Sequence, residues 1–478
     1  MITRQDMTVG CGHRPETRQR VALSCDAHGQ LRSVEHENTA QTSPVGRYIE
    51  HCASFSAVAY AAPAIRIANA VVPLDRPPPS FMRGPGEQPG SFALESAMDE
   101  LAFALDTDPV DLRLRNQPDA HPISGKPWSL RRTRECFERG AETIGWSDRA
   151  AQPRASRDGK WLVGMGCAQA TFPGLRWNGS ATVRMDFDGS VTITAATQDL
   201  GTGTYTILAQ VAAEVLGVPV STINVRLGDS DLPQCGVSGG STTAASVVPA
   251  VVRACELLLP QIAQIASDSP DGPFSGADSA TLDVARGRVA AGGRSESYVE
   301  VLAREASRLN ALNAPTGTAS AAPPEAMTDY AMDSSGAQFC RIAVNERTGE
   351  WRIGRWVAVF DVGRILNPLT ARSQLKGGVI YGLGAALMEA TTTDPSTGRV
   401  ITRGLADYHV PVHADLPTIE VDWIGEPDPV IGPLGNRGIG EIGSVGVAAA
   451  VANAIFNATG KRLRRLPLTP EQILRGDA

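Results

Sequence analysis

The residues best placed to do chemistry gather in one short stretch. Residues 435–443 read GNRGIGEIG, four glycines around one arginine and one carboxylate, Glu441. SVGVAAAVANAIFNA follows at once, apolar and alanine-rich, and reads as a buried helix. A lone acid among glycines at the mouth of such a helix suggests that some group approaches the backbone closely there. Three further loops share the pattern: MRGPGEQPG (82–90), QDLGTGTY (198–205) and GVSGGSTTAAS (236–246). Each lies at or near a predicted helix start, where unpaired N–H groups and a partial positive charge collect. Aimed at one point, such loops would hold a phosphate or pyrophosphate. None matches GxxxxGK[ST], so an ordinary P-loop is not supported. A single glycine loop between strand and helix is often only a turn. Four together, one with a Glu that reads as buried, favour a bound organic cofactor.

Metal chemistry by this chain's own side chains is not expected. The eight cysteines, Cys11, Cys25, Cys52, Cys136, Cys167, Cys235, Cys255 and Cys340, form no CxxC pair. That argues against an iron–sulfur cluster or structural zinc built here. The seven histidines also lack metal-site spacing.

The elements that must position these loops alternate between hairpins and helices. GHRPETRQRVALSCDAHGQLRSVEHE reads as two strands joined by a DAHG turn, and ATVRMDFDGSVTITAATQ as a hairpin at Asp188-Gly189. A third hairpin spans GAQFCRIAVNERTGEWRIGRWVAVFDVG. Helical spacing recurs in SFALESAMDELAFAL (91–105), after the second and third glycine loops, and in QLKGGVIYGLGAALMEA. Residues 147–160 read as a linker, and 267–325 as insertions and surface loops. The recurring order of hairpin, glycine loop and helix predicts an α+β protein with internally similar halves.

The chain has 478 residues, enough for two to four domains, with 42% hydrophobic content, 48 glycines and 33 prolines. A net charge of -7 without a long basic run excludes nucleic acid as the expected partner. No apolar run reaches the roughly 20 uninterrupted residues of a membrane helix, so no membrane insertion is expected. The N-terminus does not read as a signal peptide; it reads like the middle of a domain.

Four stretches carry a family resemblance: FMRGPGEQPGSFALESAMDELA, TQDLGTGTYTILAQVAAEVLG, ILNPLTARSQLKGGVIYGLGAALMEA and GNRGIGEIGSVGVAAAVANAI. They resemble the molybdenum-binding large subunit of the xanthine oxidase/aldehyde oxidase family, closest to the bacterial aldehyde oxidoreductase type. The resemblance covers nearly the whole chain. It implies two elongated α+β molybdenum-cofactor domains, with residues 1–150 the C-terminal part of the first and 151–478 the second. It implies a molybdenum–molybdopterin cofactor, plain or as the cytosine dinucleotide, with the metal held by the pterin dithiolene. Partner subunits would carry [2Fe-2S] clusters and FAD. Compared with the family, the hammerhead domain and the start of the first cofactor domain are missing. A separate chain is expected to supply that region, or the chain is an inactive remnant or assembly partner. The expected compartment is the cytoplasm, or the periplasm by export with a partner's signal.

The resemblance also assigns residues. Glu441 is implied as the catalytic base, removing a proton while a water-derived oxygen attacks an aldehyde. Arg83 and Gly84, then Gly201, Thr202 and Gly203, then Gly240, Ser241, Thr242, Thr243, Ala244, Ala245 and Ser246, with Gln374 and Gly440, are implied cofactor contacts. His51, Pro85, Thr171 and Phe172 are implied to border the substrate. The family's purine oxidisers carry an aromatic ring where this chain has Pro85, and an arginine near His51. Both departures favour an aldehyde, plausibly aromatic, over a purine or other N-heterocycle. An unrelated phosphate-ligand binding protein is the remaining reading.

Overall fold

A computed structural model describes residues 2–308 and 314–476. One plan recurs three times, not twice. After helix α1 (Arg4–Gly10), strands β1 (Thr17–Cys25) and β2 (Leu31–Thr42) form a hairpin, and β3 (Ala64–Pro73) returns parallel to β2. The MRGPGEQPG loop then enters α2 (Glu87–Ala104). Helices α3 (Pro109–Arg115) and α4 (Thr133–Ile144) lead to strands β4 (Arg157–Asp158) and β5 (Trp161–Pro173). The plan repeats with hairpin β6 (Gly179–Met185) and β7 (Val191–Ala195), crossover helix α5 (Thr204–Leu216), parallel strand β8 (Ile223–Leu227), a glycine loop and α6 (Thr243–Asp268). A crossover is needed each time because parallel neighbours cannot be joined by a tight turn.

The 267–325 stretch is more ordered than expected. It forms a small sheet of β9 (Asp283–Ala285), β10 (Arg288–Ala291) and β11 (Arg294–Ser297), then α7 (Tyr298–Glu305) and β12 (Thr316–Ala321). Residues 309–313 of it lie outside the described residues. The third unit runs through β13 (Asp333–Asn345), β14 (Trp351–Asp361), α8 (Pro368–Leu387) and β15 (Thr418–Trp423), parallel to β14. GNRGIGEIG and α9 (Val447–Thr459) complete it, and α10 (Pro470–Arg475) ends it. The larger sheets are ordered β1-β2-β3, β12-β6-β7-β8 and β15-β14-β13-β5-β4.

Two helix starts differ from the sequence reading. Helix α2 begins at Glu87 instead of residue 91, capped by Gly86 at φ 81°; Pro89 is tolerated because it sits in the first turn. Glu441 is not at the start of α9. It caps a separate 3-10 turn (Ile442–Ser444), and Gly446 in the left-handed region starts α9.

By length and composition alone, α6 (Thr243–Asp268) and the segment Ile442–Thr459, which joins the 3-10 turn to α9, are apolar enough to cross a membrane. Their apolar windows are 61% and 100% buried within the protein, as core helices are. Every residue of α9 is buried. Its alanines let it lie directly on β5, where a Cβ on Gly166 would come within 2.3 Å of the Ala454 nitrogen and one on Gly164 within 2.3 Å of the Ala454 oxygen. This contact seats the helix that follows Glu441. Gly166→Ala should therefore destabilise the fold by about 1–3 kcal/mol or more. Gly354→Ala, on an exposed strand position whose nearest atom is 3.9 Å away, should be near neutral. Urea unfolding of the two variants checks the contrast.

Candidate active site

The first and third recurring units meet at Arg83. Its Nε donates to the Gly440 carbonyl at 2.6 Å and its Nη2 to the Gln374 carbonyl at 2.8 Å. Gln374 thus meets the arginine through its backbone. The Arg83 carbonyl accepts from Arg14 Nη2 at 2.5 Å, and Arg14 also pairs with Glu50 at 2.7 Å. The fully buried Glu50 carboxylate further accepts from the Gly86 N–H at 2.9 Å and from Tyr48 Oη at 2.7 Å. An acid at the base of the loop thus ties its backbone down and, through Arg14, holds Arg83. Burial lowers the Arg83 pKa, while Glu441 raises it.

Glu441 lies beyond that clamp. One of its oxygens, Oε2, is buried without a hydrogen-bond partner. Burial pushes the carboxyl up to about 7, against the pull of Arg83, Arg14 and the Gly240 N–H. The surrounding glycines are sterically required. A Cβ on Gly438 would come within 1.6 Å of the Ser241 oxygen, and one on Gly84 within 2.8 Å of Ser444 Oγ. Arg437, the arginine of the same loop, is structural. It is fully buried against Asp428 and donates to the Asp333 and Leu130 carbonyls.

The third loop joins the site at Gly240 and Ser241. Ser241 has φ 57°, and its Oγ is buried without a partner. The next residues turn inward. Thr242 Oγ1 donates to the Gly239 carbonyl and Ser246 Oγ to the Thr242 carbonyl, each at 2.9 Å. Thr243, Ala244 and Ala245 form the first turn of α6. The second loop differs from the expected anion cradle. The N–H groups of Gly201, Thr202 and Gly203 all donate to Asp199 Oδ1, at 2.8, 2.8 and 3.2 Å. The loop's own acid occupies the donors that an external phosphate would need. It still reaches α8, since a Cβ on Gly203 would meet Thr370 within 2.7 Å.

Thr171 and Phe172 are adjacent on β5, so strand alternation sends them to opposite faces. Phe172 joins the large core with Ala168 and Ala170. Thr171 Oγ1 is buried without a partner, opposite Ser335, whose Oγ is likewise unpartnered. Pro85 is partly exposed beside Arg83. The His51 residue is exposed, and its carbonyl lies 3.0 Å from where a Gly86 Cβ would be.

Sequence reasoning missed Arg14, Glu50 and Asp199 as parts of this arrangement. Asp199 stands inside a quoted loop. Arg14 and Glu50 gave no signal, because their importance arises from contacts with distant segments. Among the described residues no group of three His, Cys, Asp or Glu side chains could hold a metal ion. The site does fit an organic cofactor: two glycine loops and Arg83 surround unpartnered Glu441 Oε2 and Ser241 Oγ. A carboxyl raised in the folded state costs stability once pH exceeds its unfolded value. Below about pH 4.5 both states hold the proton and there is no cost; the cost grows up to about 7 and then levels. Glu441→Gln should accordingly raise Tm at pH 8 by a few degrees and leave it unchanged at pH 4, as thermal scans would show.

Comparison with known proteins agrees with this geometry. Two molybdopterin cofactor-binding domain models match, at residues 1–117 and 139–417. The chain is 38% identical over 476 residues to the aldehyde oxidoreductase molybdenum-binding subunit PaoC of Escherichia coli K12, covering 99% of this chain and 62% of that protein. It is 30% identical over 482 residues to the xanthine dehydrogenase molybdenum-binding subunit of Escherichia coli O157:H7, covering 96% of this chain and 62% of that one. Quinoline 2-oxidoreductase from Pseudomonas putida 86 shares the fold, with a TM-score of 0.84 at 24% identity over 100% of this chain and 64% of that chain. The aldehyde oxidoreductase of Desulfovibrio desulfuricans ATCC 27774 also shares it, with a TM-score of 0.82 at 23% identity over 100% of this chain and 50% of that chain. The chain thus spans 62% of the length of the two curated relatives. With one domain model alone matching residues 139–417, more than half of its length, the chain belongs to the molybdopterin cofactor-binding domain family.

Proposed function

We propose that this chain is the molybdenum-binding part of an oxidoreductase that converts aldehydes, aromatic ones included, to carboxylic acids with water as the oxygen source. The observation that carries this reading is Glu441: an enclosed carboxyl with one unpartnered oxygen, balanced near neutral pH, inside a cradle of glycines. Aldehyde and water yield acid, two protons and two electrons, and bound molybdopterin would supply the centre that accepts the electrons.

The protein's own residues do the rest. Arg83, Gly84, Gly240, Ser241, Gln374 and Gly440 hold the cofactor edge, with Ser241 Oγ the free hydroxyl among them. Glu441 removes the proton from the attacking oxygen. A base needs to be ionised yet basic at working pH, and burial opposed by Arg83 and Arg14 sets that balance. Thr202 and its glycines act by bracing α8, because Asp199 already holds their N–H groups. Pro85 and Phe172 leave the substrate without a ring on each face, which supports an aldehyde over a flat purine. We also place the domain division near residue 150, the electrons' exit on iron–sulfur and FAD subunits, and the complex in the cytoplasm.

Glu441→Gln in the assembled complex should keep its molybdenum and lose turnover by about 10²–10⁴-fold. Near-normal turnover would remove Glu441 from the mechanism. Arg83→Ala should lower the molybdenum-to-protein ratio, since it releases Gly440 and Gln374 together; an unchanged ratio and unchanged kinetics would count against the clamp. Benzaldehyde should be turned over in preference to hypoxanthine. The reverse order would replace the aldehyde reading with a purine one.

A further inference from the structure

Strand β13 places a polar side chain, Gln338, between Ala337 and Phe339, and the reading above gives it no role. It is fully buried. Its cross-strand neighbours are Ala358 on β14 and Ala168 on β5, small residues that leave the amide room to rise off the sheet. Gln338 Nε2 donates to two backbone carbonyls, those of Gly443 and Val445, each at 3.0 Å. Its Oε1 accepts from the indole N–H of Trp356, also fully buried, at 2.9 Å. An indole nitrogen can only donate, so Trp356 fixes which end of the amide faces the carbonyls. Both ends of the amide are thus paired, as burial requires.

The two carbonyls belong to the segment that carries Glu441. Glu441 caps the 3-10 turn Ile442–Ser444, and its own carbonyl accepts from the Ser444 N–H at 3.0 Å and from Ser444 Oγ at 2.8 Å. The Val445 N–H donates to the Ile442 carbonyl at 3.0 Å. The Glu441 backbone is therefore part of the turn that Gln338 holds. On the other side Arg83 holds the Gly440 carbonyl. One tie precedes Glu441 and one follows it.

We propose that Gln338, oriented by Trp356, is a positioning residue for Glu441: it fixes the turn that aims the carboxyl into the site. Removing its amide takes a donor from two carbonyls of the turn, and the carboxyl is then free to swing toward water. No covalent bond is made or broken in this role. The expected effect on turnover rests on Glu441 being the base; the effect on the surroundings of its carboxyl does not.

Infrared difference spectra of the purified complex without substrate, followed through pH, read that carboxyl directly. Its band is the one that Glu441→Gln abolishes. Arg83, Arg14 and the Gly240 N–H act on it, Glu87 lies within electrostatic reach, and the variants below leave all four in place. Gln338→Met keeps the length of the side chain and removes the donor. The band should then ionise at a pH lower by roughly one unit than in the wild type, because hydration relieves the burial that raises it. Turnover should fall about 10–10²-fold with KM little changed, as for a displaced reacting group. Phe339→Leu is the control for general loosening. Phe339 points to the opposite face of the same strand, against Phe137; this variant should lower Tm and leave the band in place. An unshifted band in Gln338→Met, or an equal shift in Phe339→Leu, overturns the inference. If Gln338→Met does not retain molybdenum, Trp356→Phe carries the test, since it removes the N–H that orients the amide. The band should move the same way there, and an unshifted band overturns the inference. A shifted band together with normal turnover in Glu441→Gln would uphold the positioning and show that the base is misassigned. A fixed band with Glu441→Gln inactive would leave Glu441 standing and sink only the role of Gln338.

Discussion

One guanidinium joins segments that are far apart along the chain. Arg83 reaches the Gly440 carbonyl 357 positions away and the Gln374 carbonyl 291 positions away. The donor is charged and both acceptors are neutral carbonyls, so the bonds are charge-assisted without forming an ion pair. The arginine must itself be held, and Arg14 does so by donating to its carbonyl while pairing with Glu50. Burying the Glu50 carboxylate costs desolvation, which three contacts offset: Arg14, the Gly86 N–H and Tyr48. The position of Glu441 depends on this chain of donors.

The second constraint is steric. The three recurring units each deliver a glycine-rich turn to a helix start, and those turns pack closer than side chains permit. Gly438 against Ser241 is the tightest example within the site, and Gly84 against Ser444 is another. The same rule works behind it, where β5 glycines admit the alanine face of α9. A helix of larger residues would stand off the strand and carry the Glu441 turn with it. Small residues thus set backbone positions here, and polar residues decide what those positions can bind.

Electrostatics then separate acids of similar type into different roles. Asp199 satisfies its own loop and stays low, because four backbone N–H groups surround it despite partial burial. Glu50 is tied to an arginine. Glu441 and Glu87 lack such full pairing, and burial raises both. Residue type alone makes these four carboxylates equivalent. Their partners make one a cap and one an anchor, and leave two whose carboxyls burial raises.

Much of the architecture was legible in the amino-acid order. Period-two alternation marked the β1-β2, β6-β7 and β13-β14 hairpins, and DAHG and Asp188-Gly189 marked two of their turns. Glycine clusters marked the loops, and GNRGIGEIG singled out Glu441 because its acid stands before an apolar run that reads as a buried helix. These are local signals, written by turn chemistry and side-chain spacing. The third recurrence of the plan was hidden, since parallel pairing of β3 with β2 has no local signature. The same holds for the Arg83 clamp, for the burial that raises Glu441, and for the split of Thr171 and Phe172 onto opposite faces. Asp199 filling its own cradle depends on the folded path of six residues, not on their names. Sequence by itself determined which residue types stand beside which turns; only the tertiary structure decided which of them share a desolvated space, because contact and burial are properties of distant segments brought together.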